Sequence, residues 1–301
     1  MAAREQVGFI GLGRMGNPMA RNLASKQMAP LVYDLSADAM ARVEAVGGRR
    51  ARDAGDIASK SSIVVTMLPG PPEVEATLLG EGGVIARLAP GALVMDMSTV
   101  LPETTDKLAA AAKACGLGFV DAPVGRLAQH AERGESLFMV GASDADFARV
   151  KPMLDAMGTT VHHCGGPGAG TRTKLVNNLL AICLCLLDGE ALTLTQRFGL
   201  NLETTLAVLH GTTATNGQLT INLPSKVLKG DTEPGFAIDL AHKDLSLIVD
   251  AANRARVPLP MVAAARESLS LARAGGYGAK DFSAFLDFWC ERVGLDKVRV
   301  A

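Results

Sequence analysis

Over the first 160 or so residues, short apolar runs alternate with Ala-rich amphipathic stretches. "QVGFIG", "LVYDL", "SSIVVTML", "ALVMDMS" and "GFVDAPV" read as short buried strands. Between them, "NPMARNLASKQM", "SADAMARVEAVG", "PPEVEATLL" and "LPETTDKLAAAAKACG" are helical in composition. Strands alternating with crossover helices predict a mostly parallel sheet with helices on both faces. Two more strands are expected at "ESLFMVGA" and "TTVHHCG", separated by "SDADFARVKPMLDAMG", whose Ser143 and Asp146 resemble a helix start. After the glycine cluster "CGGPGAG", Cys164 to Gly170, the texture changes. "TRTKLVNNLLAICLCLLDGEALTLTQRFG" predicts one long helix, and the remainder reads as helical, broken at "HGTTATNGQ", "LPSKVLKGDTEPG" and "RVPLP". The expected architecture is α/β: a parallel-sheet domain over residues 1–165, then an all-α domain over 166–301 that begins with the long helix.

Composition agrees with two modest domains. The chain has 301 residues, of which 48% are hydrophobic and only 4% aromatic, so its cores must be built from Ala, Leu, Val, Ile and Met. A formal net charge of −1 gives no electrostatic case for nucleic acid or an anionic membrane surface. "MAAREQVGFIGLG" has no signal-peptide h-region, and the longest purely apolar run, Leu179 to Leu187, is far short of a membrane span. Cys115, Cys164, Cys183, Cys185 and Cys290 form no CxxC pair, which suits free thiols in a reducing compartment and a cytoplasmic protein. No metal set is expected: His162 and His163 are adjacent on a strand and point to opposite faces.

Candidate chemistry begins at Gly11-Leu12-Gly13-Arg14-Met15-Gly16, which ends the first strand and opens a helix. In that context Gly11 permits a tight turn, Gly13 lets the backbone approach a pyrophosphate, and Gly16 allows close helix–strand packing. The helix N-terminus adds free N–H groups and a positive dipole end. Asp34, at the end of the second strand, suits ribose hydroxyls and repels a 2′-phosphate, so NAD is expected over NADP.

On the long helix, Lys174, Asn177 and Asn178 share one face at i, i+3 and i+4. Desolvation beside a positively charged nicotinamide would make this lysine a competent proton donor or acceptor, whereas a snorkelling lysine with capping asparagines fits the same residues. Lys243 and Asp244, read alone, are a solvated charge pair. Arg126, at the strand-to-loop bend of "DAPVGRLAQH", is either a surface charge or a fork that holds an anion.

Together these segments resemble the β-hydroxyacid dehydrogenase family, which includes 3-hydroxyisobutyrate dehydrogenases and tartronate semialdehyde reductases. The resemblance spans almost the whole chain and rests on "GFIGLGRMGNPMARNL", "TMLP", "DMST", "DAPV", "GPGAGTRTKLVNNLL" and "DLAHKDL", in the family's order. It implies a Rossmann-type domain followed by an all-helical domain, with the active site in the cleft between them. Lys174 falls on the family's catalytic lysine and Asn178 on its partner asparagine, while Asn177 would help orient the substrate. Met67, Leu68, Pro69 and Thr99 match segments lining the nicotinamide half of the cofactor. Lys243 matches a lysine reaching cofactor and substrate, and the resemblance places Asp244 beside it and Phe236, packing nearby, among the cofactor-binding residues. The small, Ala/Leu-rich second domain suits a homodimer or homotetramer.

The chain departs from the family where most members read Asp-Ala-Pro-Val-Ser-Gly-Gly and hold a substrate carboxylate. Here Gly125, Arg126 and Leu127 occupy those positions. The variant is similar to the 3-sulfolactaldehyde reductase branch, where the arginine is understood to grip a sulfonate. That branch also uses a serine one turn beyond the asparagines, and Ala181 stands here instead. The resemblance therefore implies an NAD-dependent enzyme acting on a short anionic 3-hydroxyacid or its semialdehyde, sulfonate or carboxylate. A silent nucleotide-binding scaffold and an imine reductase are the competing readings, and Lys174 with Asn178 argues against both.

Overall fold

Nine strands form one sheet in the computed structural model, which describes residues 5–300. They are Val7–Ile10 (β1), Leu31–Tyr33 (β2), Arg49–Arg50 (β3), Ile63–Thr66 (β4), Leu93–Asp96 (β5), Gly118–Asp121 (β6), Val124–Gly125 (β7), Ser136–Gly141 (β8) and Gly158–Gly165 (β9). The order is β3-β2-β1-β4-β5-β6-β8-β7, with β9 paired to β8. Strands β1 to β6 run parallel, and the order reverses direction between β1 and β4. In open sheets of this kind ligands bind outside the carboxyl ends of the strands at that reversal.

The connecting helices are Gly16–Ser25 (α1), Ala37–Glu44 (α2), Ala54–Lys60 (α3), Pro71–Leu79 (α4), Val84–Arg87 (α5), Pro102–Ala114 (α6), Ala128–Glu132 (α7) and Asp144–Met157 (α8). Strand alternation explains the two layers they make. Phe9, Val65, Met95 and Val120 point to one face and pack with Met19, Leu23 and Leu154. Ile10, Val64, Val94 and Phe119 point to the other, against Ile57, Leu78 and Leu108.

Two expectations change in detail. "GFVDAPV" is two strands, β6 and β7, because the antiparallel β8 inserts between them. Pro123, between the two, has no N–H to donate, and its carbonyl takes the Met139 N–H at 3.1 Å. Strand β3 and helices α3, α5 and α7 were not expected. Arg49 and Arg50 are exposed charges on an edge strand, and α3 is a seven-residue helix too short to show a period. Its start is nevertheless fixed locally, by the Asp53 carboxylate accepting the Asp56 N–H at 2.7 Å.

Helix Ala169–Arg197 (α9) is the long element expected after the glycine cluster. The chain divides into two compact units at Lys174 and Leu175, within this helix. Its first turn belongs to the first unit because the sheet grips it, as described below. The second unit continues with Leu202–His210 (α10), Leu223–Ser225 (α11), Ile238–Arg254 (α12), Pro260–Ala274 (α13) and Phe285–Arg292 (α14), and holds no named strand among the described residues. By length and composition α9 could cross a membrane, with a mean hydropathy of 1.6 over its most apolar window. Val176, Leu180, Leu187 and Leu194 form an exposed apolar stripe along it, and the exposed Phe198 follows just past its end. The steps of four and seven residues keep these side chains on one face.

Candidate active site

The turn after β1 is shaped by what a side chain would hit. Gly11 has φ +96°, and a Cβ there would collide with the Met67 carbonyl oxygen. A Cβ on Gly16 would collide with the Gly11 carbonyl oxygen, so only glycine lets α1 start this close to β1. Gly13 differs: nothing in the protein lies within 4 Å of its would-be Cβ. Beside it lies a cleft of about 540 Å³ lined by Leu12, Gly13, Arg14, Asp34, Ser36 and Arg42. The α1 N-terminus carries no side-chain cap and no acidic residue in its first turn. Open space over Gly13 and a bare helix N-terminus fit a pyrophosphate. Asp34 faces the same cleft, its carboxylate oriented by the N–H groups of Leu12 (2.6 Å) and Ser36 (2.8 Å). Its negative charge suits ribose hydroxyls and opposes a 2′-phosphate, so the residues present fit NAD.

The loops after β4 and β5 are tied to this turn. Met67 N–H donates to the Ile10 carbonyl at 2.9 Å, and Leu68 N–H donates to Ser98 Oγ at 2.9 Å. Beneath them Asp96 Oδ1 accepts the Thr66 hydroxyl (2.8 Å) and the Ser98 N–H (3.2 Å). The half-buried Met67, Leu68 and Thr99 thus stand at the carboxyl ends of adjacent strands, next to the glycine turn. Burial pushes the Asp96 carboxyl up, hydrogen bonds from Ser98 and Thr66 oppose this, and the nearby Asp121 charge adds to the rise.

Asp121, the register partner of Asp96 on β6, is 1% exposed. It accepts the Gly168 N–H on one oxygen and the Thr171 N–H on the other, both at 2.6 Å. Its carboxylate therefore binds the N-terminus of α9. The helix reaches it because Gly170 lacks a side chain: a Cβ there would collide with the Met139 carbonyl oxygen. On the same turn Arg172 forms a two-pronged ion pair with Asp106 of α6, at 3.0 and 2.7 Å. One turn on, the half-buried Lys174 Nζ donates to the Val124 carbonyl at 2.7 Å, beside Gly125.

Arg126 follows Gly125 in a left-handed conformation, φ 71°. Its exposed guanidinium lies against β9 and the residue just before β8, donating to the Glu135 carbonyl (2.6 Å), Thr159 Oγ1 (3.0 Å) and Thr160 Oγ1 (3.1 Å). All three acceptors are neutral, so these bonds orient the charge without cancelling it.

In the second unit Asp244 is the centre of a small network. It is 2% exposed, accepts Asn178 Nδ2 at 2.6 Å on Oδ2 and pairs with Lys243 Nζ at 3.1 Å on Oδ1. Asn178 Oδ1 in turn accepts Asn177 Nδ2 at 3.0 Å. Asn178, Lys243 and Asp244 are thus brought together, with Asp244 turned to its protein partners. Lys174 and Asn178 share a helix face one turn apart. Phe236, in the same unit, lies edge-on to Phe282 at 5.4 Å. Sequence reasoning missed Asp96, Ser98, Asp121 and Thr171 as organisers. The signal was an aspartate inside a buried apolar strand run, in "ALVMDMS" and again in "GFVDAPV".

Comparisons with known proteins cover the whole arrangement. Residues 6–166 match the family described as the NAD binding domain of 6-phosphogluconate dehydrogenase. Residues 168–289 match the family described as the NAD-binding of NADP-dependent 3-hydroxyisobutyrate dehydrogenase. The chain is 42% identical to the 3-sulfolactaldehyde reductase of Escherichia coli (strain K12), over 93% of this chain and 94% of that one. It is 38% identical to the 2-(hydroxymethyl)glutarate dehydrogenase of Eubacterium barkeri, over 96% of each. Among solved structures, the Mycobacterium tuberculosis 3-hydroxyisobutyrate dehydrogenase with L-serine superposes with a TM-score of 0.88 at 28% identity, covering 95% of this chain and 99% of that one.

Proposed function

The chain belongs to the β-hydroxyacid dehydrogenase family, an NAD-dependent oxidoreductase group, and from that membership we propose that it reduces 3-sulfolactaldehyde to 2,3-dihydroxypropane-1-sulfonate. The observation that carries the chemistry is the Lys174 ammonium seated on the Val124 carbonyl, at the edge of the segment that presents Gly125 and Arg126. The glycine turn, Asp34, Met67–Pro69 and Thr99 would hold the cofactor. NADH, when bound, supplies a hydride to the aldehyde carbon. Lys174 gives its proton to the oxygen as negative charge develops there, and regains one from solvent. A carbonyl acceptor at 2.7 Å fixes the position of the lysine head. Asn178, oriented by Asp244, and Asn177 line the next turn of the same helix face, and Lys243 is held by the same aspartate. That arrangement supports a positioning role for Asp244, in place of direct cofactor contact.

Arg126 supports the anionic substrate. A planar five-donor fork, held by neutral oxygens, keeps its charge available for a sulfonate. Carboxylate semialdehydes are the second reading, favoured by Ala181, which offers no hydroxyl for a third sulfonate oxygen. The test is NADH oxidation with 3-sulfolactaldehyde, methylmalonate semialdehyde and tartronate semialdehyde side by side. Sulfolactaldehyde is expected to give the highest kcat/KM, and Arg126→Ala is expected to raise its KM about tenfold or more with NADH affinity unchanged. A carboxylate preference would replace the substrate, and an unchanged KM would remove Arg126 from the site.

The exposed stripe on α9 supports a homodimer or homotetramer, since four large apolar side chains on one helix face, with Phe198 just past its end, are stabilised by covering them with a second copy. A monomeric mass by light scattering would overturn that. The five cysteines, all free, fit a reducing, cytoplasmic setting.

A further inference from the structure

We infer that Asp121 is a positioning residue for the proton-transfer step: it fixes the start of α9 so that Lys174 arrives on the Val124 carbonyl. This rests on the reading of Lys174 as the acid/base group. The segment Asp121–Val124 holds the helix at two points. The Asp121 carboxylate takes the backbone N–H groups of Gly168 and Thr171, and three residues on the Val124 carbonyl takes the lysine head. Lys174 lies one turn beyond Thr171, about 4.5 Å along the axis. A change of rise or rotation at the first grip is therefore delivered to Nζ with little slack.

Three features make this more than a helix cap. The carboxylate is almost wholly buried at the end of a central strand, so its position is set by β6 and its neighbours β5 and β8. A buried carboxylate is costly unless its oxygens are satisfied, and here both are engaged by α9, so charge and helix hold each other in place. The approach is also too close to re-form elsewhere. Gly170 packs against backbone of β6 and β8, and a Cβ on Gly141 would collide with Asp121 Oδ1. Of the other holds on this turn, the Thr171 hydroxyl meets the Thr105 hydroxyl of α6 at 3.0 Å, whereas the Arg172 pair with Asp106 is exposed on both sides and tolerates movement.

Asparagine keeps the shape of Asp121 but has one acceptor oxygen, and its amide hydrogens would face a backbone N–H. Asp121→Asn should then loosen one of the two grips. With 3-sulfolactaldehyde, or the carboxylate semialdehyde preferred in its place, we expect kcat to fall about 30-fold while the Kd for NADH stays within about twofold. The decisive reading is the double variant. In a Lys174→Ala background, Asp121→Asn should lower the residual rate less than about twofold, because no lysine is left to misplace. Asp106→Asn should leave kcat near the parent value. If the two losses multiply, or if Asp121→Asn leaves kcat unchanged, Asp121 does not act through Lys174. Near-parent turnover by Lys174→Ala alone would instead overturn the acid/base reading itself. Should the amide disrupt the first unit, seen as lost NADH binding, Asp121→Ser removes the charge without setting a donor against the helix, and the same cycle is read with it.

Discussion

Lys174→Ala is expected to lower kcat about a thousandfold while leaving the Kd for NADH within about twofold. The two effects separate because the structure separates their causes. The residues that fit the cofactor's glycine-turn and strand-end contacts lie after β1, β2, β4 and β5, whereas Lys174 sits on α9 with its head on the Val124 carbonyl. Alanine is the best helix former, and the first turn of α9 is held by Asp121 and Asp106, so the truncated helix should keep its place. Lys174→Arg sharpens the result. A guanidinium retains the charge but does not release its proton near neutral pH, so it should restore little turnover if proton transfer, and not charge alone, is the lysine's role. Steady-state rates with NADH fluorescence titration check both. Turnover within tenfold of the parent in either variant would return Lys174 to a snorkelling surface lysine.

How far the sequence anticipated this site depended on the range over which each residue acts. The glycine turn, Asp34 and the Lys174–Asn178 face were legible because their logic is local: a strand followed by a turn and a helix, or two residues one turn apart. The parallel sheet was legible from alternation alone. What the sequence did not reveal are partners chosen by tertiary packing. Nothing local says that the carboxylate of "DAPV" reaches Gly168 and Thr171, nor that Ser98 supports Leu68 from the next strand. "GFVDAPV" looked like one strand because the inserting β8 comes later in the chain. Asp244 was legible as half of a charge pair, and its hold on Asn178 was not, since 66 residues separate them. Arg126 was legible as a charge at a bend, but not the β9 threonines that orient it.

Gly13→Ala is expected to weaken NADH about 100-fold, close to 2.7 kcal/mol, with the thermal midpoint of the free protein unchanged within about 2 °C. The three glycines of the turn look equivalent in sequence and are not equivalent in space. At Gly11 a methyl group meets the Met67 carbonyl oxygen and the backbone sits at φ +96°, so Gly11→Ala should lower stability before any cofactor is added. At Gly16 the clash is with the Gly11 carbonyl, and the cost is again paid by the fold. At Gly13 the methyl group meets no protein atom within 4 Å and the backbone angle is an ordinary one, so the fold has no reason to object. The only thing the methyl group can displace there is what binds over the turn. A fluorescence titration of Gly13→Ala with NADH, beside melting curves of both alanine variants, therefore distinguishes space reserved for the pyrophosphate from space merely left over. Parent-like NADH affinity in Gly13→Ala would move the pyrophosphate away from this turn. A large fall in its melting temperature would show that Gly13 serves packing, as its two neighbours do.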